Sequence, residues 1–218
     1  MMWEQWVGSI MSMWFAWWEK LQNIALGIAK GIEYLHQGCD KRIFHFDIKP
    51  QNILLDQNFN PKISNFGLAK LCSKEQSAVS MITARGTMGY IAPKVLLRNF
   101  GNVSYKSDIY SFGMLLLEMV GGRKNIDVTK EKTSQVYFPE WVYNQLDTGE
   151  DVCIRIEEEE DIKITKQLTI MGLWCIQWYP IDRSSIRVES NVGSKRQFNH
   201  ATQPFCFHRF NKNKHQKV

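Results

Sequence analysis

Three short segments hold the residues best suited to chemistry. His45-Phe46-Asp47-Ile48-Lys49-Pro50-Gln51-Asn52 sets a carboxylate, an ammonium and a carboxamide close together, and Asn65-Phe66-Gly67 and Ala92-Pro93-Lys94 follow. A carboxylate can take up a proton, an ammonium can neutralise an anion, and a carboxamide oxygen can face a hard cation. An isolated D-x-K-x-x-N is a weak signal. With two flanking segments in this order and spacing, chance is a poor explanation. A thiol is a poor candidate: Cys39, Cys72, Cys153, Cys175 and Cys206 are odd in number, widely spaced and without a CxxC pair, which fits free thiols in a reducing compartment.

The elements that must position these groups follow from periodicity. Leu21, Ile24, Ala25, Ile28, Ile32 and Leu35 fall at helical spacing and predict a helix from Leu21 to about His36. Ile43-Phe44, Ile53-Leu54-Leu55 and Lys62-Ile63-Ser64 read as short strands, the first two paired around the Asp47 loop. Cys72 to Thr87 is polar and reads as a flexible loop. Tyr110 to Val120 is a nearly all-apolar helix ended by Gly121-Gly122, hence buried on most sides. Trp141 to Leu146 and Ile164 to Ile176 predict two more helices. The acidic run Glu157 to Asp161 reads as favourable charge at a helix N-terminus rather than a metal site.

This succession, with the wording YLHQGC, DIKPQNILLD, GYIAP, YSFGMLLLEMVGGRKN and GLWCIQWYPIDR, resembles a plant receptor-like serine/threonine kinase of the leaf-rust-resistance type. The resemblance runs from about Leu21 to Arg183. It implies a mainly α fold with a few short β-strands, that of the large C-terminal lobe of a protein kinase. It implies phosphoryl transfer from ATP, with Mg²⁺, to Ser or Thr of a protein. By resemblance Asp47 is the catalytic carboxylate, Lys49 lies near the transferred phosphoryl group, and Asn52 and Asn65 stand at the metal-holding positions. Leu54 would form the floor under the adenine, and Thr87 would position the substrate. His45 would pack on Phe66, with Asp108 supporting the loop. Phe46 stands where many kinases carry arginine, which makes Ser73, Ser77, Ser80 and Thr83 weak regulatory candidates.

Three departures from the family pattern stand out. Asn65 replaces the aspartate of Asp-Phe-Gly, offering one neutral oxygen where Mg²⁺ favours an anionic one, so metal binding is expected to be weak. Lys94 replaces the glutamate of Ala-Pro-Glu and is expected to face Arg183 with like charge; losing such a buried pair costs about 3–5 kcal/mol. The substrate loop is therefore expected to be poorly anchored. Nothing before Leu21 offers a Gly-rich loop, a strand lysine or its helix glutamate, so the N-lobe is expected to be absent.

The 218 residues carry a mild net charge of +5 concentrated after Arg183, where Arg187, Lys195, Arg196, Arg209, Lys212, Lys214 and Lys217 meet a single acid, Glu189. The expected organisation is a Trp-rich segment over 1–20, the kinase-like lobe over 21–186 and a basic, disordered tail over 187–218. No nucleic-acid partner is expected. Five of the eight tryptophans fall in the first eighteen residues. Trp6 to Trp18 is too short to span a membrane and lacks a secretory signal's flanks. It reads better as foreign to the domain than as a membrane-surface anchor. The implied enzyme is then impaired or inactive, with a protein substrate or partner kinase, cytoplasmic, although family members are membrane-anchored with a cytoplasmic kinase domain. The alternatives are a pseudokinase-like interaction module and a truncated or wrongly joined product.

Overall fold

A computed structural model of the chain describes residues 17–80, 86–96, 102–126, 137–147 and 159–183. Most of the Trp-rich start, Thr83, Glu157 and the basic tail lie outside the described residues. The first helix, α1, runs Trp17–Glu33 and so begins four residues before the expected Leu21. Its apolar stripe of Leu21, Ile24, Ala25, Ile28, Ala29 and Ile32 is buried, as a 3.6-residue period requires. The expected helical end at His36 is instead a π-helical turn, Tyr34–Gly38. This wider turn sets Leu35 and His36 inside while Tyr34 stays exposed.

The strands are short and local pairing is not the rule. β1 (Arg42–Phe44) pairs antiparallel with β4 (Lys70–Cys72), Ile43 opposite Leu71. β2 (Ile53–Leu55) forms a hairpin with β3 (Pro61–Ile63), Leu54 opposite Lys62. The expected strands at 43–44 and 53–55 therefore exist and flank the Asp47 loop, but each has a different partner, not the other. The segment read as a loop from Cys72 to Thr87 also contains β5 (Ala78–Ser80), which pairs with β6 (Asn102–Ser104). Val79 sits opposite Val103, and Val103 is buried. One apolar cross-strand pair, with Val103 buried and Val79 half-buried, orders a stretch whose composition is polar.

A four-residue helix α2 (Pro93–Leu96) precedes β6. The central helix α3 (Lys106–Gly121) buries nearly every side chain, Ile109, Phe112, Leu115, Leu116 and Leu117 completely or almost so. Gly122 in the left-handed conformation (φ 59°) closes it with an N–H to the Glu118 carbonyl. Helices α4 (Phe138–Asp147) and α5 (Glu159–Cys175) follow, and α3 packs chiefly on α5. The mainly helical class with a few short strands holds. Among the described residues no helix is long and apolar enough to cross a membrane.

The α3–α5 crossing is set by two glycines. A Cβ at Gly113 would lie 2.6 Å from the Cys175 Cβ and 2.7 Å from the Gly172 carbonyl oxygen. Backbone cannot yield there as a flexible side-chain tip can. Gly113→Ala is therefore expected to lower stability by about 1–3 kcal/mol, despite alanine's better helix propensity, as read from urea unfolding.

Candidate active site

The site is built on one buried carboxylate. Asp108, in the first turn of α3, is fully buried. Its Oδ1 accepts the Phe46 N–H at 2.7 Å, and its Oδ2 accepts the His45 N–H at 2.8 Å and His36 Nε2 at 2.8 Å. Two successive amides aimed at one carboxylate bend the chain sharply, and Phe46 takes φ 61°, a left-handed conformation uncommon for an aromatic residue. Its ring is buried edge-on to Phe44 at 5.9 Å. The position is thus an apolar wedge in the core.

His45 Nδ1 accepts the Asp47 N–H at 3.2 Å, and its Nε2 donates to the Ser64 carbonyl at 3.0 Å. Its ring meets Phe66 edge-on at 4.9 Å. His45 thereby ties the Asp47 loop to the segment that carries Asn65.

Asp47 gathers three side-chain donors. Oδ1 accepts the Thr87 hydroxyl at 2.8 Å; Oδ2 accepts Asn52 Nδ2 at 2.8 Å and pairs with Lys49 Nζ at 2.9 Å. Lys49 also donates to Thr87 Oγ1 at 2.8 Å. Burial pushes the carboxyl up, but the hydrogen bonds from Lys49, Thr87 and Asn52 outweigh it and hold it below its ordinary value. A carboxylate has about four acceptor sites, and these donors leave one free on Oδ1. The structure brings together Asp47, Lys49, Asn52, Asn65 and Thr87. Leu54, on β2, is half exposed at 52%.

Asn65 takes φ 63° and donates Nδ2 to Asn52 Oδ1 at 3.1 Å. A magnesium ion would need anionic oxygen here. Both candidate ligands are neutral amides, and the Asn52 oxygen already accepts a hydrogen bond from Asn65. Among the described residues no group of three or more His, Cys, Asp or Glu is placed to hold a metal. The donor set does not fit the ion.

The expected confrontation of Lys94 with Arg183 is not what the structure holds. Lys94 is exposed. Arg183 is buried, donates to the carbonyls of Gln177, Lys106 and Trp178 at 2.7–3.0 Å, and lies 5.0 Å from the Tyr110 ring. Burial lowers its guanidinium to about 10. The cation near it is Lys106, which donates to the Arg183 carbonyl. Backbone oxygens have replaced a carboxylate, so Lys94→Glu is expected to change stability by no more than about 0.5 kcal/mol in thermal melts.

Nor is the loop before Lys94 loose. The Tyr90 hydroxyl donates to Glu118 Oε2 at 2.6 Å, buried on α3, and Ser111 Oγ donates to the Tyr90 carbonyl at 2.8 Å. Asn125 N–H also donates to Glu118. The expected poor anchoring is corrected by this tie and by Thr87. Sequence reading missed Glu118, Tyr90, Ser111 and His36. One signal was available: a lone acid inside the apolar run LLLEMV must find a donor when buried.

The comparisons agree with one another. A family model described as protein kinase domain matches residues 12–191. Rust resistance kinase Lr10 of Triticum aestivum is 59% identical over 176 residues, covering 80% of this chain and 28% of that protein. The leaf rust 10 disease-resistance locus receptor-like protein kinase-like 2.4 of Arabidopsis thaliana is 52% identical over 171 residues, covering 78% of this chain and 28% of that one. The PR5-like receptor kinase of Arabidopsis thaliana is 52% identical over 171 residues, 76% of this chain and 26% of its own length. The chain thus spans little more than a quarter of these relatives.

Proposed function

Since this chain belongs to the protein kinase family, among the plant receptor-like kinases of the leaf-rust-resistance type, we propose that it carries the substrate-facing part of a serine/threonine phosphotransfer site whose metal-assisted step is severely impaired. The observation that supports this reading is the Asp47–Lys49–Thr87 cluster. The free acceptor site on Asp47 Oδ1 suits an incoming Ser or Thr hydroxyl, which it would orient and relieve of its proton. Lys49, two residues away, would balance charge on the transferred phosphoryl group. ATP is the phosphoryl donor throughout the family; Leu54 offers its base an apolar contact. Asn65 supports the impaired half of the reading. By the receptor-like relatives, the chain would work on the cytoplasmic side of a membrane-anchored protein, on a protein substrate.

The test is transfer of labelled phosphate from ATP to Ser/Thr and Tyr peptides by the chain and by Asp47→Ala. Slow transfer confined to Ser/Thr and lost in the variant supports the reading; transfer indifferent to Asp47 refutes it. A second reading, an interaction module that holds a partner kinase, is favoured by the exposed apolar side chains Leu54, Phe66 and Met88 on the site's segments. It predicts a stable complex insensitive to Asp47→Ala.

A further inference from the structure

We infer that the Asn65–Asn52 hydrogen bond is a carboxamide latch standing where the family pattern would have a cation, so that the two loops hold their closed geometry without any divalent ion. The orientation of Asn52 is forced. Its two amide protons go to the Asp47 carbonyl at 2.7 Å and to Asp47 Oδ2 at 2.8 Å, so Oδ1 must face Asn65. Only the amide nitrogen of Asn65 can then meet it favourably, and that contact is 3.1 Å. The other end of the Asn65 amide agrees: its oxygen turns toward Gly67, 3.4 Å from where a Cβ would lie there.

Neighbouring bonds lock the same junction. The Ser64 N–H and Ser64 Oγ both donate to the Asn52 carbonyl, at 2.9 and 3.0 Å. Residues 64 and 65 thus give Asn52 three hydrogen bonds, and none requires an ion. Asparagine also tolerates the left-handed backbone at this position (φ 63°) better than most residues. An aspartate in the same place could only accept. It would set a charged oxygen against the Asn52 oxygen, an arrangement stable only with a cation between them. Position 65 therefore decides whether the junction demands a cation or excludes one. The inference rests on the proposed function only in assigning Asn52 and Asn65 to the phosphotransfer site, and its test needs no phosphate transfer.

The experiment compares melting of the native chain and Asn65→Asp in EDTA and in about 10 mM MgCl₂ or MnCl₂, with Mn²⁺ binding followed by electron paramagnetic resonance. The latch predicts a native melting temperature indifferent to either ion. It predicts that Asn65→Asp melts lower in EDTA, is restored by the ion and binds Mn²⁺ at least about tenfold more tightly than the native chain. A native chain stabilised by Mg²⁺, or an Asn65→Asp chain as stable in EDTA as the native one, overturns it. Should Asn65→Asp fail to fold under every condition, Asn65→Gly decides, since it keeps the left-handed turn and removes the amide. Asn65→Gly is expected to melt below the native chain by equal amounts with and without the ion; melting equal to the native chain overturns the latch. Ion-indifferent melting with no phosphate transfer would refute the proposed function and leave the latch standing.

Discussion

Asp108→Ala is expected to lower the stability of the fold by about 3–5 kcal/mol, a large share of the roughly 5–15 kcal/mol that holds an ordinary domain together. The loss comes from what the substitution strands. The amides of His45 and Phe46 and the His36 imidazole all point at this one side chain, and the surroundings hold little water, His36 being 4% and Asp108 0% exposed. Buried donors left without acceptors cost about 1–3 kcal/mol each before relaxation. Phe46 has a second reason to respond. Its left-handed backbone (φ 61°) is held by the hydrogen bonds of its own amide and of His45's to Asp108, so the loop should relax and carry Asp47 with it. Asp108→Asn, which keeps one acceptor oxygen, should lose less than alanine. Urea unfolding measures both; a loss under about 1 kcal/mol for alanine would mean the loop finds its acceptors elsewhere.

The second large effect is expected at Asp47, this time on transfer rather than on folding. Asp47→Ala should reduce any phosphate transfer to Ser/Thr peptides by about 10²–10⁴-fold, the usual contribution of a positioned base. The fold should survive, since Lys49 is only partly buried and can turn to water, and Asn52 keeps its bond to the Asp47 carbonyl. A melt beside the assay separates the two effects. The pH dependence has a definite sign. Burial raises the carboxyl, and the donors Lys49, Thr87 and Asn52 together lower it further, to below the ordinary 3.8. A depressed carboxyl contributes stability above its unfolded value and loses it as pH falls through the folded value. Asp47 should therefore stay ionised through the neutral and mildly acid range, and its contribution should fade only below about pH 4.

Helices were legible where an apolar stripe recurred at a 3.6-residue period or where a long apolar run ended in glycines. Leu21 to Ile32 and Tyr110 to Val120 announced α1 and α3, and only their ends moved. Strand pairing was not legible, because a three-residue strand such as Arg42–Phe44 carries too little pattern to name a partner some thirty residues away. The π-turn at Tyr34–Gly38 has no compositional signature and follows from the need to seat His36 against Asp108. At the site, the residue types around Asp47 were readable, and resemblance supplied their roles. The meeting of Thr87 with Asp47 across forty residues was not derivable from spacing. The pairing of Lys94 with Arg183 misled because it treated a charge as obliged to find a charge. Three carbonyl oxygens satisfy a guanidinium as well, and no property of the sequence near Arg183 advertises them.

The reach of these ties bears on how the chain is made. His45 and Phe46 find their acceptor about sixty residues later, at Asp108, and Lys106 exchanges hydrogen bonds with Arg183, 77 residues later. A polypeptide leaving the ribosome exposes the Asp47 loop long before either arrives. The β2–β3 hairpin needs only near neighbours, whereas the apolar stripe of α1 waits for α3 and α5 to cover it, and contacts of high sequence separation form slowly. Between the synthesis of Asp47 and that of Asp108 the nascent chain carries two amides that only water can satisfy and Phe44 and Phe46 without the helix that covers them. That interval is when it should depend most on chaperones.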